Sequence, residues 1–262
     1  MNDSLPNFSL MMEAMTELEP EIKAAQTKPV AARPSLAESL SRMGPLPRES
    51  LFLGLASDGL PVLLNLHNAH PGPLLIAADP GAGKTALLQM IARAAAHMHK
   101  PSDVQFGIVT KTPDEWESLA KLEHCVGVLP TYHKSAADYL SSLSGWAHGN
   151  KRKNRSILLL VDDLESMLHL EQDARQSLRW LLLRGPARRV WPIVTLNTER
   201  VAQVEEWLEA FRTRVFGQVQ DVLTAEGLTG LPDSPLRDLQ AGQQFALREG
   251  SDWLKFRIPD VG

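Results

Sequence analysis

Residues 74 to 85 read Leu-Leu-Ile-Ala-Ala-Asp-Pro-Gly-Ala-Gly-Lys-Thr, a short apolar run followed by a glycine-rich loop. A helical pattern follows directly, over residues 86–99. Small residues let a loop wrap tightly, so its backbone N–H groups can point at phosphate oxygens, and the next helix adds the positive end of its dipole. The segment therefore predicts a nucleoside triphosphate site on a strand–loop–helix unit.

Each residue type in this loop has a chemical role. Lys84 is expected to reach the β- and γ-phosphates of ATP, and the Thr85 hydroxyl is expected to ligate Mg²⁺. The usual pattern begins with glycine where this chain has Ala78, a change that suits a backbone with negative φ. The predicted nucleotide-binding residues are Asp79, Pro80, Gly81, Ala82, Gly83, Lys84, Thr85 and Ala86.

Two carboxylates follow a second apolar run, residues 157–161. We expect Asp162 to hold Mg²⁺ through water and Asp163 to orient and polarise the attacking water. Most ATPases of this type have Glu at the second position, and the shorter Asp side chain predicts slower hydrolysis. The alternative is structural: the two acids cap and begin a helix at Leu164.

Polar and basic residues near later strands complete the candidate site. Asn197 ends an apolar run and is predicted to sense the γ-phosphate or position water; the alternative is an ordinary polar strand end. Arg214 is the predicted arginine finger, acting in its own subunit or in a neighbour. For each arginine considered, the alternative is a solvated surface residue, and the other candidates are Arg184, Arg188, Arg189 and Arg212.

The composition is that of a globular protein, with 44% hydrophobic and 22% charged residues in a chain of 262. A single cysteine excludes a disulfide framework and favours a reducing cytoplasm. No apolar run is long enough to span a membrane, and the N-terminus does not resemble a secretory signal. A net charge of −4 argues against a globally basic nucleic-acid surface. The basic run at 151–155 could contact nucleic acid locally. The simpler alternative is a solvated loop.

Strand and helix patterns alternate along the chain, which predicts an α/β fold with a mostly parallel sheet and helices on both faces. Hairpins are expected around Asp58-Gly59 and around residues 249–251, and a long helix over 164–184. Other helices are expected over 114–122, 136–148 and 201–211, and strands over 104–110, 126–129, 193–196 and 214–220.

The first 47 residues differ from the rest, with six of the 18 prolines and five of the eight methionines. We therefore divide the chain into an N-terminal segment, 1–47, and an ATPase domain, 48–262. Within 5–22 an apolar stripe recurs at helical spacing and predicts docking to a protein partner. The alternatives are packing on its own domain and disorder. The stripe consists of Phe8, Met11, Met12, Met15, Leu18 and Ile22.

The order of these features over residues 50–260 resembles the FtsK/HerA superfamily of P-loop motor ATPases. The P-loop segment, 71–88, looks like the family's "PHLLIAGxTGSGKS", and Pro101-Ser-Asp-Val-Gln-Phe106 is similar to its "xPxDVxF". Residues 195–200 stand where the family has an "ATQR"-like sensor, and 212–219 and 240–247 resemble its closing segments. The resemblance implies a three-layer RecA-like P-loop NTPase fold with an additional strand.

The same resemblance implies a homo-oligomer, a hexameric ring with ATP and Mg²⁺ at subunit interfaces, and DNA or polypeptide as the moved substrate. Three positions depart from the family: Ala78, Asp163 and the segment 185–187, which lacks an arginine. Two functions follow. The first is an ATP-hydrolysing ATPase that serves DNA handling or a transport assembly. The second is a weakly active or inactive nucleotide-binding module that recruits a partner through residues 5–22.

Overall fold

A computed structural model describes residues 33–150, 155–249 and 252–260. Residues Ser35–Gly262 form one compact unit. The predicted partner-binding stripe at 5–22 and most of the basic run at 151–155 lie outside the described residues, and the division at residue 47 stays a prediction. Within the described ranges, no helix is both long and apolar enough to cross a membrane.

A ten-stranded sheet organises the described residues, in the order β2-β1-β10-β9-β8-β3-β7-β6-β4-β5. The strands are β1 (Ser50–Ala56), β2 (Pro61–Asn65), β3 (Leu74–Ala78), β4 (Val104–Thr110), β5 (Cys125–Pro130), β6 (Ser156–Val161), β7 (Val190–Asn197), β8 (Thr213–Phe216), β9 (Gln244–Glu249) and β10 (Asp252–Arg257). The six strands from β8 to β5 pair in parallel, whereas β9, β10, β1 and β2 extend the sheet with antiparallel pairs.

Helices connect the strands. The α-helices are α1 (Leu36–Arg42), α2 (Lys84–Met98), α3 (Glu117–Ala120), α4 (Lys134–Gly149), α5 (Gln172–Arg184), α6 (Glu205–Leu208) and α7 (Val222–Thr229). The 3₁₀ helices span Pro113–Trp116, Leu164–His169, Pro186–Arg188, Thr198–Gln203 and Pro235–Asp238.

The central strands are buried on both faces, which creates the three layers. In β3, Leu74 and Ile76 belong to one apolar core, whereas Leu75 and Ala77 belong to the other. Such alternation follows from the period of two in a strand. Helix α2 contributes to the first core, and α4 and α5 contribute to the second. The predicted α/β fold, with a mostly parallel sheet between helical layers, is confirmed.

Both predicted hairpins are present. Strands β1 and β2 pair around a turn in which Gly59 has φ of 83° and Leu60 N–H donates to Asp58 Oδ1 at 3.0 Å. Strands β9 and β10 pair in register from Glu249↔Asp252 to Gln244↔Arg257.

The long helix predicted over 164–184 is wrong in its first part. Leu164–His169 is a 3₁₀ helix, and Leu170 and Glu171 are extended, with ψ of 155° and 154°, before α5 begins. Leu164 and Met167 are buried three residues apart, which matches the three-residue turn of a 3₁₀ helix. The apolar periodicity was shared by two separate helices that pack on the same core.

The segment between β7 and α7 also differs from the sequence prediction. The helix predicted over 201–211 is a 3₁₀ helix at Thr198–Gln203 followed by the single turn α6. The strand predicted over 214–220 ends at Phe216, and α7 was not predicted. The sequence analysis also did not place α1, although its capping box, Ser35 with Glu38, is a recognisable helix start.

Candidate functional site

The phosphate-binding loop lies between β3 and α2, at the carboxyl edge of the parallel strands. Gly81 and Gly83 have φ of 76° and 87°, a region that glycine enters without steric cost. Ala78 is not among the non-glycine residues with positive φ, so its backbone accepts alanine in place of the usual glycine. A Cβ on Gly83 would lie 2.5 Å from Gly242 Cα, and Gly242 N–H donates to Ala82 O at 3.1 Å. The loop therefore rests directly on the turn that precedes β9.

Asp79 fixes the start of this loop. Its Oδ1 accepts a hydrogen bond from the Thr198 hydroxyl, and its Oδ2 accepts one from Gln220 N–H at 2.7 Å. The loop is thus tied to the segments that follow β7 and β8. The predicted residues from Asp79 to Ala86 form one continuous path from the end of β3 into the first turn of α2.

Lys84 is buried at the mouth of the loop. Its Nζ donates to Ala78 O at 3.0 Å and to Asp79 O at 2.9 Å. Burial lowers the pKa of its ammonium, and the neighbouring carboxylates oppose that shift. The carboxylates, in decreasing order of effect, belong to Asp163, Glu165, Asp162 and Asp79. The Lys84 ammonium therefore lies among acidic groups that favour its charged form.

Thr85 and Asp162 come together on this edge. The Thr85 hydroxyl donates to the carboxylate of Asp162, at 3.1 and 3.2 Å from its two oxygens, and Thr195 Oγ1 donates to Asp162 Oδ1 at 2.9 Å. Asp162 is 4% exposed, and mainly this burial raises its pKa to about 6.

This donor set fits Mg²⁺. A hydroxyl and a carboxylate are the oxygen ligands that Mg²⁺ prefers, and a nearby cation would compensate the cost of burying the Asp162 charge. Among the described residues, no group of three or more His, Cys, Asp or Glu side chains could hold a metal alone. Phosphate oxygens and water would complete the coordination, as is usual for Mg²⁺ bound with a nucleotide.

Asp163 is held from several sides. Its N–H donates to Thr195 Oγ1 at 2.7 Å, and its backbone has φ of 75°, which is strained for a residue other than glycine. Its Oδ2 lies 2.5 Å from Lys111 Nζ, and its Oδ1 accepts from Asn197 Nδ2 at 3.1 Å. The side chain makes no capping bond to the following 3₁₀ helix, so the helix-cap alternative does not hold for Asp163.

Asn197 bridges two carboxylates. Its Nδ2 donates to Asp163 Oδ1 and also to Glu165 Oε1, at 2.5 Å. The structure therefore brings the predicted residues Asp163 and Asn197 into direct contact.

The sequence analysis missed three residues of this cluster: Lys111, Glu165 and Thr195. Lys111 directly follows β4, and Glu165 lies two positions after Asp163. The available signal for Lys111 and Glu165 was their position, because both come at or just beyond the carboxyl end of a buried strand.

Arg214 does not lie beside the phosphate-binding loop of its own subunit. It pairs with Leu75 near the start of β3, whereas the loop begins after Ala78 at the strand's other end. Its guanidinium donates to three backbone carbonyls, those of Leu208, Phe211 and Leu228. It also lines a cavity of about 400 Å³ together with Arg212, and none of the predicted nucleotide-binding or Mg²⁺-binding residues lines that cavity. The structure does not bring Arg214 to the loop of its own subunit, and action on a neighbouring subunit stays a prediction.

Sequence comparison gave no relative: no protein-family model matches the chain, and no curated protein matches it. Comparison with solved structures gave clear similarities. ATPases 2 and 3 of EccC from Thermomonospora curvata, in complex with a signal sequence peptide, match with a TM-score of 0.64 and 14% identity. ATPases 2 and 3 of EssC from Geobacillus thermodenitrificans match with a TM-score of 0.68 and 13% identity. The pCW3 conjugation coupling protein TcpA, solved as a monomer with ATPγS, matches with a TM-score of 0.67 and 12% identity.

These similarities cover 88%, 82% and 83% of this chain, respectively. They cover 43% and 47% of the EccC and EssC chains and 68% of TcpA, so the chain spans less than half of the first two. At such low identity the similarity concerns the fold. The chain therefore shares the fold of these proteins, which is the P-loop ATPase fold that the sequence resemblance predicted.

Proposed function

We propose that the chain binds ATP with Mg²⁺ and hydrolyses it, as an FtsK/HerA-like ATPase that serves a transport assembly or DNA handling. The observation that carries the proposal is the contact of the Thr85 hydroxyl with the Asp162 carboxylate at the end of a glycine-rich loop. A helix start, a buried lysine and an acidic strand end meet there, and together they suit a triphosphate with its cation.

Each residue has a defined task in this proposal. The backbone N–H groups of residues 81–85 and the Lys84 ammonium bind the phosphates, and Thr85 and Asp162 hold Mg²⁺. When bound, Mg²⁺ neutralises charge on the β- and γ-phosphates. Asn197 orients the groups around the reacting phosphate, and a carboxylate on the same edge takes the proton of the attacking water. Asp163 is the residue that the sequence predicts for that last task.

A turnover assay tests the proposal. Purified chain is assayed for phosphate release from ATP–Mg²⁺, with and without DNA, beside Lys84→Ala. Because Lys84 is the cation placed to bind the phosphates, its loss should reduce turnover by about 100-fold or more. Lys121→Ala is the matched control, since Lys121 is 74% exposed and forms only a 4.0 Å pair with Glu117. The control should keep wild-type turnover.

Two results would contradict the proposal. If ATP–Mg²⁺ neither raises the melting temperature nor is hydrolysed, the chain is not an ATPase. If ATP binds but no phosphate is released with or without DNA, the second interpretation applies, that of a nucleotide-binding module without turnover.

The proposal extends to assembly and substrate. The neighbours are described as a type VII secretion ATPase, in the case of EccC, and as a conjugation coupling protein, in the case of TcpA. We infer a homo-oligomer, with a hexamer as the form that the family resemblance favours, working in the cytoplasm. Native mass measurement with and without ATP tests the oligomer, and stimulation of turnover by DNA separates a DNA substrate from a polypeptide.

A further inference from the structure

Glu165 is a third carboxylate beyond the end of β6, two residues after Asp163 and within the 3₁₀ helix Leu164–His169. Its Oε1 accepts from Asn197 Nδ2, whereas its Oε2 is buried and has no hydrogen-bond partner in the described part of the chain. A buried carboxylate oxygen without a donor is costly, so a donor to this atom is expected in the working protein. A water molecule beside a bound triphosphate would supply the missing donor.

Asp163 has no such spare oxygen. Lys111 Nζ lies 2.5 Å from its Oδ2, and Asn197 donates to its Oδ1. The pKa of Lys111 is raised chiefly by its hydrogen bond to Asp163, which indicates a charged pair. A carboxylate whose two oxygens already accept from an ammonium and an amide is occupied as an anchor. It is poorly available as a proton acceptor.

Glu165 is connected to the start of the phosphate-binding loop through Asn197. The Asn197 side chain donates to Glu165 Oε1, and Asn197 pairs with Ala78 at the end of β3, directly before the loop. This contact places the Glu165 carboxylate at the edge of the sheet where the loop begins. The Glu165 side chain is one methylene longer than that of Asp163, which extends its reach.

We propose that Glu165 is the general base of this ATPase and that Asp163 anchors Lys111 and Asn197 around it. The inference rests on the hydrolytic function proposed above. The water oxygen forms a bond to the γ-phosphorus while the bond from that phosphorus to the β–γ bridging oxygen breaks. The electron pair of the broken bond leaves with ADP, and a proton of the water passes to Glu165 Oε2.

The test separates binding from turnover with Glu165→Gln, which keeps the shape and removes the base. Loss of a general base should lower kcat by about 100-fold or more. The Kd for ATP–Mg²⁺ should stay near the wild-type value, because Lys84, Thr85 and Asp162 are unchanged. After incubation with ATP, rapid quenching and chromatography should find ATP on Glu165→Gln and ADP on the wild type. Glu165→Asp should keep part of the turnover.

Two further variants complete the test. Asp163→Asn should lower kcat less than Glu165→Gln does and should lower the melting temperature, because it removes the charge that pairs with Lys111. Glu171→Gln, at an exposed position before α5, is the matched control and should behave as wild type. If the melting temperature shows that Glu165→Gln is poorly folded, the kcat of Glu165→Asp is compared with the kcat of Asp163→Asn instead.

The outcomes distinguish the two proposals. Wild-type turnover in Glu165→Gln together with a loss in Asp163→Asn would overturn the role of Glu165 and leave the ATPase intact. If Glu165→Gln does not fold well, full turnover in Glu165→Asp together with a loss in Asp163→Asn would have the same meaning. Absence of turnover in the wild type itself would overturn both proposals.

Discussion

Thr85 and Asp162 lie 77 positions apart in the chain, yet the hydroxyl of one donates to the carboxylate of the other at 3.1 Å. One sits at the start of α2 and the other just after β6, with β7 between β6 and β3 in the sheet. Parallel pairing aligns the carboxyl ends of these strands on one edge. The contact is thus a product of sheet topology, and it lies where we propose that the nucleotide-bound cation binds.

Removing the Thr85 hydroxyl should weaken cation binding. Thr85→Ala is expected to reduce the affinity for Mg²⁺ in the presence of ATP by about tenfold or more, the scale on which even outer partners of a metal site act. Thr85→Ser keeps the hydroxyl and should stay near wild type. Titration of Mg²⁺ into protein with ATP, followed by thermal shift, measures the effect. Equal Mg²⁺ affinity in Thr85→Ala and wild type would argue against a hydroxyl ligand.

Arg214 should prove structural. Its guanidinium satisfies three backbone carbonyls, so Arg214→Ala leaves them without their charged donor and should lower the free energy of unfolding by about 1.5–3 kcal/mol. Arg212→Ala, at an exposed neighbouring position, should change it by less than about 0.5 kcal/mol. Urea denaturation measures both. Wild-type stability with lost turnover in Arg214→Ala would instead support the predicted arginine finger.

Gly217 should tolerate no side chain. A Cβ there would lie 2.8 Å from Ala78 Cβ, at the strand end that leads into the phosphate-binding loop. Gly217→Ala should therefore destabilise the fold by about 1–3 kcal/mol through overpacking. Gly145→Ala is the control: a Cβ at this exposed position in α4 meets nothing within 4 Å, and alanine should stabilise the helix by about 0.5–1 kcal/mol. Similar melting temperatures for the two variants would contradict the packing argument.

His99 should make the fold sensitive to acid. Its Nε2 lies 2.9 Å from Ser50 O, and burial lowers its pKa, although Asp103 and the Ser50 carbonyl oppose the shift. Because the unfolded chain then binds more protons than the folded one, stability falls as pH drops below the unfolded pKa of about 6.5. The melting temperature of His99→Gln should therefore fall less than that of the wild type when the pH is lowered from 7.5 to 5.5.

The exposed His97, in the last turn of α2 and two residues before His99, supplies the control for that comparison. His97→Gln should follow the wild-type pH dependence. Parallel curves for wild type and His99→Gln would show that the half-buried His99 ring does not govern the acid response.

Sequence patterns sufficed where the determinants are local. The glycine loop, the apolar run before Asp162 and the turn at Asp58-Gly59 are each specified by a few consecutive residues, so their positions could be predicted. The break before α5 could not, because it depends on the positive φ of Asp163 and on burial of Leu164 and Met167 three residues apart. Apolar periodicity does not reveal such a backbone change.

The acidic cluster was only partly predictable for a similar reason. Lys111 meets Asp163 because β4 is the neighbour of β6, and strand order is not written in any single segment. Asn197 could be selected as a polar strand end, but its bond to Glu165 depends on the 3₁₀ turn that carries Glu165. The catalytic roles of Asp163, Asn197 and Arg214 stay predictions.

The contact of Gly83 with Gly242 has a mechanical consequence. The glycine loop is backed by the turn that leads into β9, where a single methyl group would not fit. Movement of the loop toward that side would therefore require the turn to move with it. Because β9 pairs with β10, and β10 pairs with β1, this contact connects the loop to the antiparallel half of the sheet.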